Sequence, residues 1–264
     1  MPEGKVNYSK VWSETHGAVC SLTCLQRGDR ISSGTGFMIG RKLVTNNHVI
    51  QIPADATMEV CFVDPDGHTP TLKKTLSAQE LRNRLQDGEA ESSWDYAILD
   101  ASDFPQAFSL KISPNDGVHI GSDLVWLGFQ FEQTNLSIHS GMLSSKYVQA
   151  GVNYLQLDGS VNQGNSGGPL INPSTGEVIG IITRKATGLT RQFDELIQAF
   201  EQTAIALQNT PVVMSVDGID PIKILAVTQT QMRRVSMEIK RSANVGIGYA
   251  YEIKKIRHSL EHAA

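Results

Sequence analysis

The chain has 264 residues, 40% of them hydrophobic and 19% charged, with a formal net charge of −4. This balance excludes a disordered or collagen-like chain, and the length suffices for a substantial core in one or two domains. No apolar run is long enough to span a bilayer and no long basic run occurs, so neither a membrane nor a nucleic acid is an expected partner.

The opening residues, Met1-Pro2-Glu3-Gly4-Lys5-Val6-Asn7, lack the apolar centre of a signal peptide. The three cysteines, Cys20, Cys24 and Cys61, give no even disulfide framework. On a strand, Cys20 and Cys24 would share one face roughly 13 Å apart, beyond the reach of a disulfide. They read as small buried hydrophobes in a reducing compartment, and the expected location is the cytoplasm.

In chain order, residues 17–25, 35–40, 42–45 and 57–64 read as short strands rich in Val, Ile, Phe and Thr, bounded by Gly, Asp and Pro. Residues 77–85 read as a helix, with Ser77 as N-cap and Glu80 completing a capping box. Residues 95–100 read as a strand, followed by strands at 124–129, 136–147, 154–157 and 177–183. Evenly spaced short strands of this kind suggest barrels.

From Phe193 the period changes. Phe193, Leu196, Ile197, Phe200, Ala204 and Leu207 recur at helical spacing. A second helix starts at Pro221 with Asp220 as N-cap, and Leu225, Met232, Val235 and Ile239 give it an apolar stripe. Most such stripes are core, so the two helices are expected to pack on each other and on the barrel. The sharper reading gives 188–243 a docking role for a regulatory protein partner. A strand at 246–250 and a final helix near 252–262 close the chain. His258 and His262 share a face of that helix, but helix histidines are far commoner than metal sites, so no metal is expected.

Three separated segments carry the chemistry. They are Val44-Thr45-Asn46-Asn47-His48-Val49, Trp94-Asp95-Tyr96-Ala97-Ile98-Leu99 and Gly164-Asn165-Ser166-Gly167-Gly168-Pro169. A serine hydroxyl is a poor nucleophile unless an imidazole takes its proton, and a carboxylate fixes the imidazole's tautomer and steadies its cation. Gly164 permits an unusual turn, while Gly167 and Gly168 let backbone approach closely, so that N–H groups can converge on a developing oxyanion. A lone Gly-x-Ser-x-Gly is weak, but three motifs in the order His48, Asp95, Ser166 are specific. Asp100 is the competing carboxylate, and its place at a strand end favours a turn role.

The segment Gly34-Thr35-Gly36-Phe37-Met38-Ile39, the histidine motif, Asp158, Asn162 and Gly180-Ile181-Ile182-Thr183 resemble trypsin-like serine proteases, specifically the high-temperature-requirement protease domain. The resemblance covers roughly residues 10–187 and 244–256. It implies a mostly β fold of two six-stranded antiparallel barrels, at 8–112 and at 113–187 plus 244–264. Residues 188–243 would then be an inserted helical hairpin, followed by a C-terminal helix. It further implies His48, Asp95 and Ser166 as a catalytic triad at the cleft between the barrels, with backbone at Gly164, Asn165 and Ser166 holding the oxyanion. No cofactor is implied.

The substrate pocket implied by the resemblance comprises Ser160, Val161, Asn162, Thr183, Arg184 and Lys185. Ser160 takes the place at the pocket base where trypsins have Asp, and a neutral base disfavours Lys or Arg in the substrate. Small or medium apolar residues are expected before the cut, unless Arg184 and Lys185 favour an acidic one. Asn165 replaces the Asp that pairs with a newly cut N-terminus in secreted trypsins, so no zymogen cleavage of that kind is expected. No peptide-binding PDZ module is visible. The expectation is therefore a dedicated regulatory or effector endopeptidase acting on a protein or peptide substrate, within a larger regulatory or bacterial system. The alternative is a catalytically silent interaction module that binds through the helical insertion.

Overall fold

The computed structural model describes residues 6–104, 108–114, 118–183, 188–210, 220–242 and 246–262. The chain divides into two compact units, Met1–Arg184 with Gly246–Ala264, and Lys185–Val245.

The first unit begins with helix α1 (Tyr8–Thr15), capped by the Asn7 side chain on the Lys10 N–H at 3.0 Å. Then come β1 (Val19–Gln26), β2 (Asp29–Ile39), β3 (Lys42–Thr45), the one-turn helix α2 (Asn47–Ile50), β4 (Thr57–Val63) and β5 (Pro70–Ser77). Helix α3 (Ala78–Arg84) carries the expected capping box, Ser77 and Glu80 bonding reciprocally. Next are β6 (Leu85–Glu89) and β7 (Tyr96–Asp100). These strands form one antiparallel seven-stranded sheet in the order β5-β4-β1-β2-β3-β7-β6. Strand β6, whose Gln86-Asp87-Gly88-Glu89 has no β-branched residue, was not among the strands expected from the sequence; it pairs along β7.

The second half contributes β8 (Lys111–Ile112), β9 (Asp123–Gly128), β10 (Ser137–Gln149), β11 (Val152–Asp158), β12 (Pro169–Asn172) and β13 (Glu177–Thr183). After the second unit the chain returns as β14 (Ile247–Glu252) and ends in a helix, Lys254–His262. Strands β9 to β14 close into an antiparallel six-stranded barrel, because β12 pairs with both β9 and β13. The short β8 joins β13 in parallel.

Alternation along β9 shows how the halves meet. Leu124 and Trp126 point into the barrel core with Leu143, Leu157, Leu170 and Ile182. Val125, Leu127 and Phe129 point the other way, into a core shared with Phe37, Val44 and Ile98 of the first sheet. A strand buried on both faces reads as an unbroken apolar run, which is what Leu124 to Leu127 is.

The second unit is a pair of helices, α4 (Gly188–Gln208) and α5 (Pro221–Ser242). The Asp220 carboxylate accepts from the N–H groups of Ile222 and Lys223 at 3.0 and 3.2 Å, the cap read from the sequence. The stripe reading of α5 needs correction. Leu225, Met232, Val235 and Ile239 are 46–53% exposed, whereas Ala226 and Ser236 are buried. Arg233 reaches Glu201 of α4 at 3.5 Å, which fixes the face α5 turns to its neighbour. Ile222 and Met237 are half-buried beside Ala226 and Ser236, so the buried side of α5 is offset from the stripe of large apolar residues read from the sequence. Among the described residues, no helix is long and apolar enough to cross a membrane.

Candidate active site

Strand β3 ends at Thr45 and runs directly into α2, which carries His48. The site is assembled around the carboxylate of Asp95, only 1% exposed, at the start of β7. Asp95 Oδ1 accepts the backbone N–H of His48 at 3.0 Å, and Oδ2 lies 2.7 Å from His48 Nδ1. Both oxygens are thus committed to one histidine, whose side chain keeps 35% exposure toward solvent. Asp95 sits in the left-handed region at φ 40, and its backbone is held from two sides. Its N–H donates to Ala90 O at 3.1 Å, and its C=O accepts from the Asn46 side-chain amide at 2.7 Å. Strained backbone of this kind persists only where the surroundings over-determine it.

Ser166 lies on the turn that leads from Asn162 into β12. Gly164 has φ 94, and a methyl group there would stand 2.0 Å from the Phe129 carbonyl oxygen, so the turn requires glycine. Gln163 C=O accepts from the Phe131 N–H at 2.8 Å, and Asn165 N–H donates to Asn162 O at 3.1 Å. Among the described residues, no hydrogen bond uses the N–H of Gly164 or of Ser166, nor the Ser166 hydroxyl. The expected bond from the Ser166 hydroxyl to His48 is thus not formed among the described residues; catalytic hydrogen bonds often tighten only when substrate arrives. Gly34 measures the approach of the two segments. A methyl group there would meet the Val49 side chain at 2.6 Å and the Ser166 carbonyl oxygen at 3.2 Å, so the histidine turn and the serine turn flank one residue.

The residues assigned to the pocket are placed unevenly. Val161 is buried against Gly248, and Ser160 is exposed. Asn162 donates to Gln130 Oε1 at 3.1 Å. Thr183 is buried at the end of β13, beside Tyr251, whose phenol is pushed far up by burial and by the nearby charge of Asp95. Arg184 and Lys185 lie outside the described residues. Asp100 serves its turn: its carboxylate accepts the Ser102 N–H and hydroxyl, each at 3.2 Å. Asn165 is fully buried.

Sequence reading missed the supporting groups. Asn46 stands in the quoted histidine motif, but nothing in the motif says that its amide grips the Asp95 carbonyl. Thr35 stands in the quoted first-barrel motif, yet its partners are 94 and 129 residues away.

Comparison with known proteins bears out the resemblance. The model of the trypsin-like peptidase domain family matches residues 34–181, more than half of the chain. A probable periplasmic serine endoprotease DegP-like from Pseudomonas savastanoi is 30% identical over 169 residues, 59% of this chain and 30% of the relative. Human serine protease HTRA3 is 28% identical over 178 residues, 60% of this chain and 34% of the relative. The chain thus spans about a third of the length of these curated relatives. The solved structure described as HtrA-type protease AlgW with tripeptide superposes with a TM-score of 0.58 at 20% identity, covering 97% of this chain and 62% of that one, a likeness of fold.

The cytoplasmic expectation is corrected by these matches. Relatives from Pseudomonas savastanoi, Rhizobium meliloti, Pseudomonas fulva and Hahella chejuensis are named periplasmic, which overturns that expectation. The cysteines misled for a physical reason. All three are free and buried, and burial pushes each thiol's pKa up, so they are inert hydrophobes in either compartment.

Proposed function

Since the chain belongs to the trypsin-like peptidase domain family, we propose that it is a serine endopeptidase working through His48, Asp95 and Ser166. Ser166 Oγ attacks a peptide carbonyl while His48 Nε2 takes its proton. The carbonyl oxygen, now anionic, is held by the N–H groups of Gly164 and Ser166. Collapse breaks the C–N bond, and the amine leaves with the proton from His48. Water then attacks the acyl-enzyme by the same route in reverse. The observation that carries this reading is Asp95, with both carboxylate oxygens on one histidine, beside a serine turn whose N–H groups at 164 and 166 are unused.

Ser160, Val161, Asn162, Thr183, Arg184 and Lys185 are proposed as the substrate pocket. The buried Val161 and the neutral Ser160 support a preference for small or medium apolar residues before the cut. We propose domain limits of 8–112, 113–187 plus 244–264, and 188–243. The exposed Leu225, Met232, Val235 and Ile239 support a regulatory partner on that last segment.

Two experiments test the reading. The full-length, unprocessed protein labels with a serine-directed fluorophosphonate and cleaves a peptide library, and Ser166→Ala does neither. A folded protein that fails to label sinks the catalytic proposal, and preferred cleavage after Lys or Arg sinks the pocket assignment. Charge at Met232 and Val235 leaves peptide cleavage unchanged but impairs processing of the protein substrate; unimpaired processing refutes the partner role.

A further inference from the structure

Thr35 lies on β2, in the first sheet, yet every polar group it has is spent at the serine turn or beside it. Its hydroxyl donates to Gly164 C=O at 2.6 Å and accepts the Phe129 N–H at 3.1 Å. Its own N–H donates to Ser166 C=O at 2.8 Å. Its C=O accepts the Thr45 hydroxyl at 2.7 Å, which ties this node to the strand leading into the His48 helix. Thr35 is fully buried, so water does not compete for these bonds.

The geometry points to Thr35 as a positioning residue for the oxyanion hole. A peptide unit is planar, with C=O and N–H on opposite sides. Holding Gly164 C=O toward Thr35 turns the Asn165 N–H away, where it meets Asn162 O at 3.1 Å. Holding Ser166 C=O toward Thr35 fixes the following peptide in the same way. With the carbonyls at 164 and 166 pinned from one side, the Asn165 peptide between them cannot flip without breaking a buried bond. That peptide carries the Ser166 N–H; the Gly164 N–H belongs to the adjoining Gln163 peptide, whose C=O accepts from the Phe131 N–H at 2.8 Å, so Thr35 holds the unit that joins the two donors. Flanking backbone leaves no slack: a methyl group on Gly167 would stand 2.2 Å from Thr35 O. Phe129 completes the cradle, since its C=O lies against Gly164 and its N–H is bound by the same hydroxyl.

This inference rests on the endopeptidase reading and adds to it which group, in the opposite half of the fold, keeps the hole formed. Removing the hydroxyl frees Gly164 C=O and orphans the Phe129 N–H. Because a well-placed oxyanion donor is worth about 10²–10³-fold in kcat, a turn that samples misaligned states loses a part of that.

The test compares Thr35→Ala with Thr35→Ser, side chains that differ by the hydroxyl alone, and adds the isosteric Thr35→Val. We expect Thr35→Ala and Thr35→Val to lose about 10–100-fold in kcat with KM within about twofold. Thr35→Ser should stay within about threefold of wild type. Affinity for a peptide boronic acid, which forms a tetrahedral adduct, should fall in step with kcat/KM. Affinity of the Ser166→Ala background for an uncleaved peptide should not change. In amide hydrogen exchange, protection of Phe129 should be lost in Thr35→Ala and kept in Thr35→Ser. If Thr35→Val fails to fold, the Ala–Ser pair decides. Equal kcat in folded Thr35→Ala and Thr35→Ser, or a rise in KM at constant kcat, overturns the role of Thr35. A wild-type protein that neither labels nor cleaves overturns the endopeptidase reading instead, while the Phe129 exchange still reports whether the hydroxyl holds this turn.

Discussion

Asp95→Asn tests the geometry of the histidine most sharply. Asp95 Oδ1 must accept, because its partner is the backbone N–H of His48 at 3.0 Å, which can only donate. An asparagine therefore keeps its oxygen there and presents its NH2 to His48 Nδ1, now 2.7 Å away. Two donors cannot face each other, so Nδ1 must become the acceptor and the ring proton moves to Nε2. The nitrogen that should take the serine proton is then already protonated. In Ser-His-Asp sites this tautomer error costs about 10⁴-fold in kcat, or about 5 kcal/mol of barrier. Little else should change, since Asn matches Asp in shape and both original contacts survive. The assay is kcat on a peptide that the wild type cleaves, with active sites counted by fluorophosphonate titration and folding checked by circular dichroism. KM should move by less than about threefold, because the substrate does not touch Asp95. A folded Asp95→Asn variant with kcat within tenfold of wild type would refute the assignment of His48 as the base oriented by Asp95.

Gly164→Ala places a methyl group 2.0 Å from Phe129 O at a φ of 94, so the turn must shift and kcat should fall by at least about 100-fold; near-normal turnover would argue against the N–H of residue 164 as an oxyanion donor. Ser77→Ala removes the α3 cap and should lower the melting temperature by about 2–4 °C without altering kcat, checked by thermal scanning beside the peptide assay. Asp103 is held well below the ordinary carboxylate range, first by a two-pronged bond from Arg84 at 2.7 Å and then by Lys74. Glu89 is lowered by Lys255 and Ser93. Depressed folded values mean that the stabilisation is complete above the unfolded value of about 4 and is lost as pH falls through the lower folded values. The urea midpoint should therefore be flat from pH 7 to 5 and drop below about pH 4, with a shallower acid limb in Asp103→Asn; an unchanged limb would refute the assignment.

What could be read from sequence alone was what is stated locally. The Ser77–Glu80 box, the Asp220 cap and the apolar run of β9 are encoded within a few residues, and each folds as its pattern says. The His48, Asp95 and Ser166 motifs stand out in the sequence because the chemistry proposed for them restricts the residue types. The misreadings came where tertiary partners decide. Strand β6 owes its conformation to pairing with β7. Along helix α5 the buried Ser236 borders the arc that carries Leu225, Met232 and Ile239, with Ala226 further round, and helical period alone does not say which part of the surface a neighbour takes. Thiol burial is likewise a property of the fold, and three buried cysteines carry no information about the compartment.

Asn165 shows why supporting contacts matter at the serine turn. Its side chain is fully buried, and among the described residues neither its Oδ1 nor its Nδ2 has a hydrogen-bond partner. A buried amide left unpaired costs about 1–3 kcal/mol, so the side chain of Asn165 does not hold the turn by bonds of its own. A neutral amide cannot form an ion pair, so no charge interaction replaces those bonds. The restraint comes instead from backbone carbonyls on both sides of Asn165, both gripped by Thr35, and from Gly168 N–H on Asn165 C=O at 3.0 Å. A turn held through carbonyls from the opposite half of the fold is set when the two halves pack. Readiness of the site should therefore follow the integrity of that packing. Small core truncations between the halves, such as Leu127→Ala, should lower kcat by more than truncations inside the barrel, such as Leu143→Ala, at matched loss of stability. Equal losses from both would mean that the turn is set within the barrel alone.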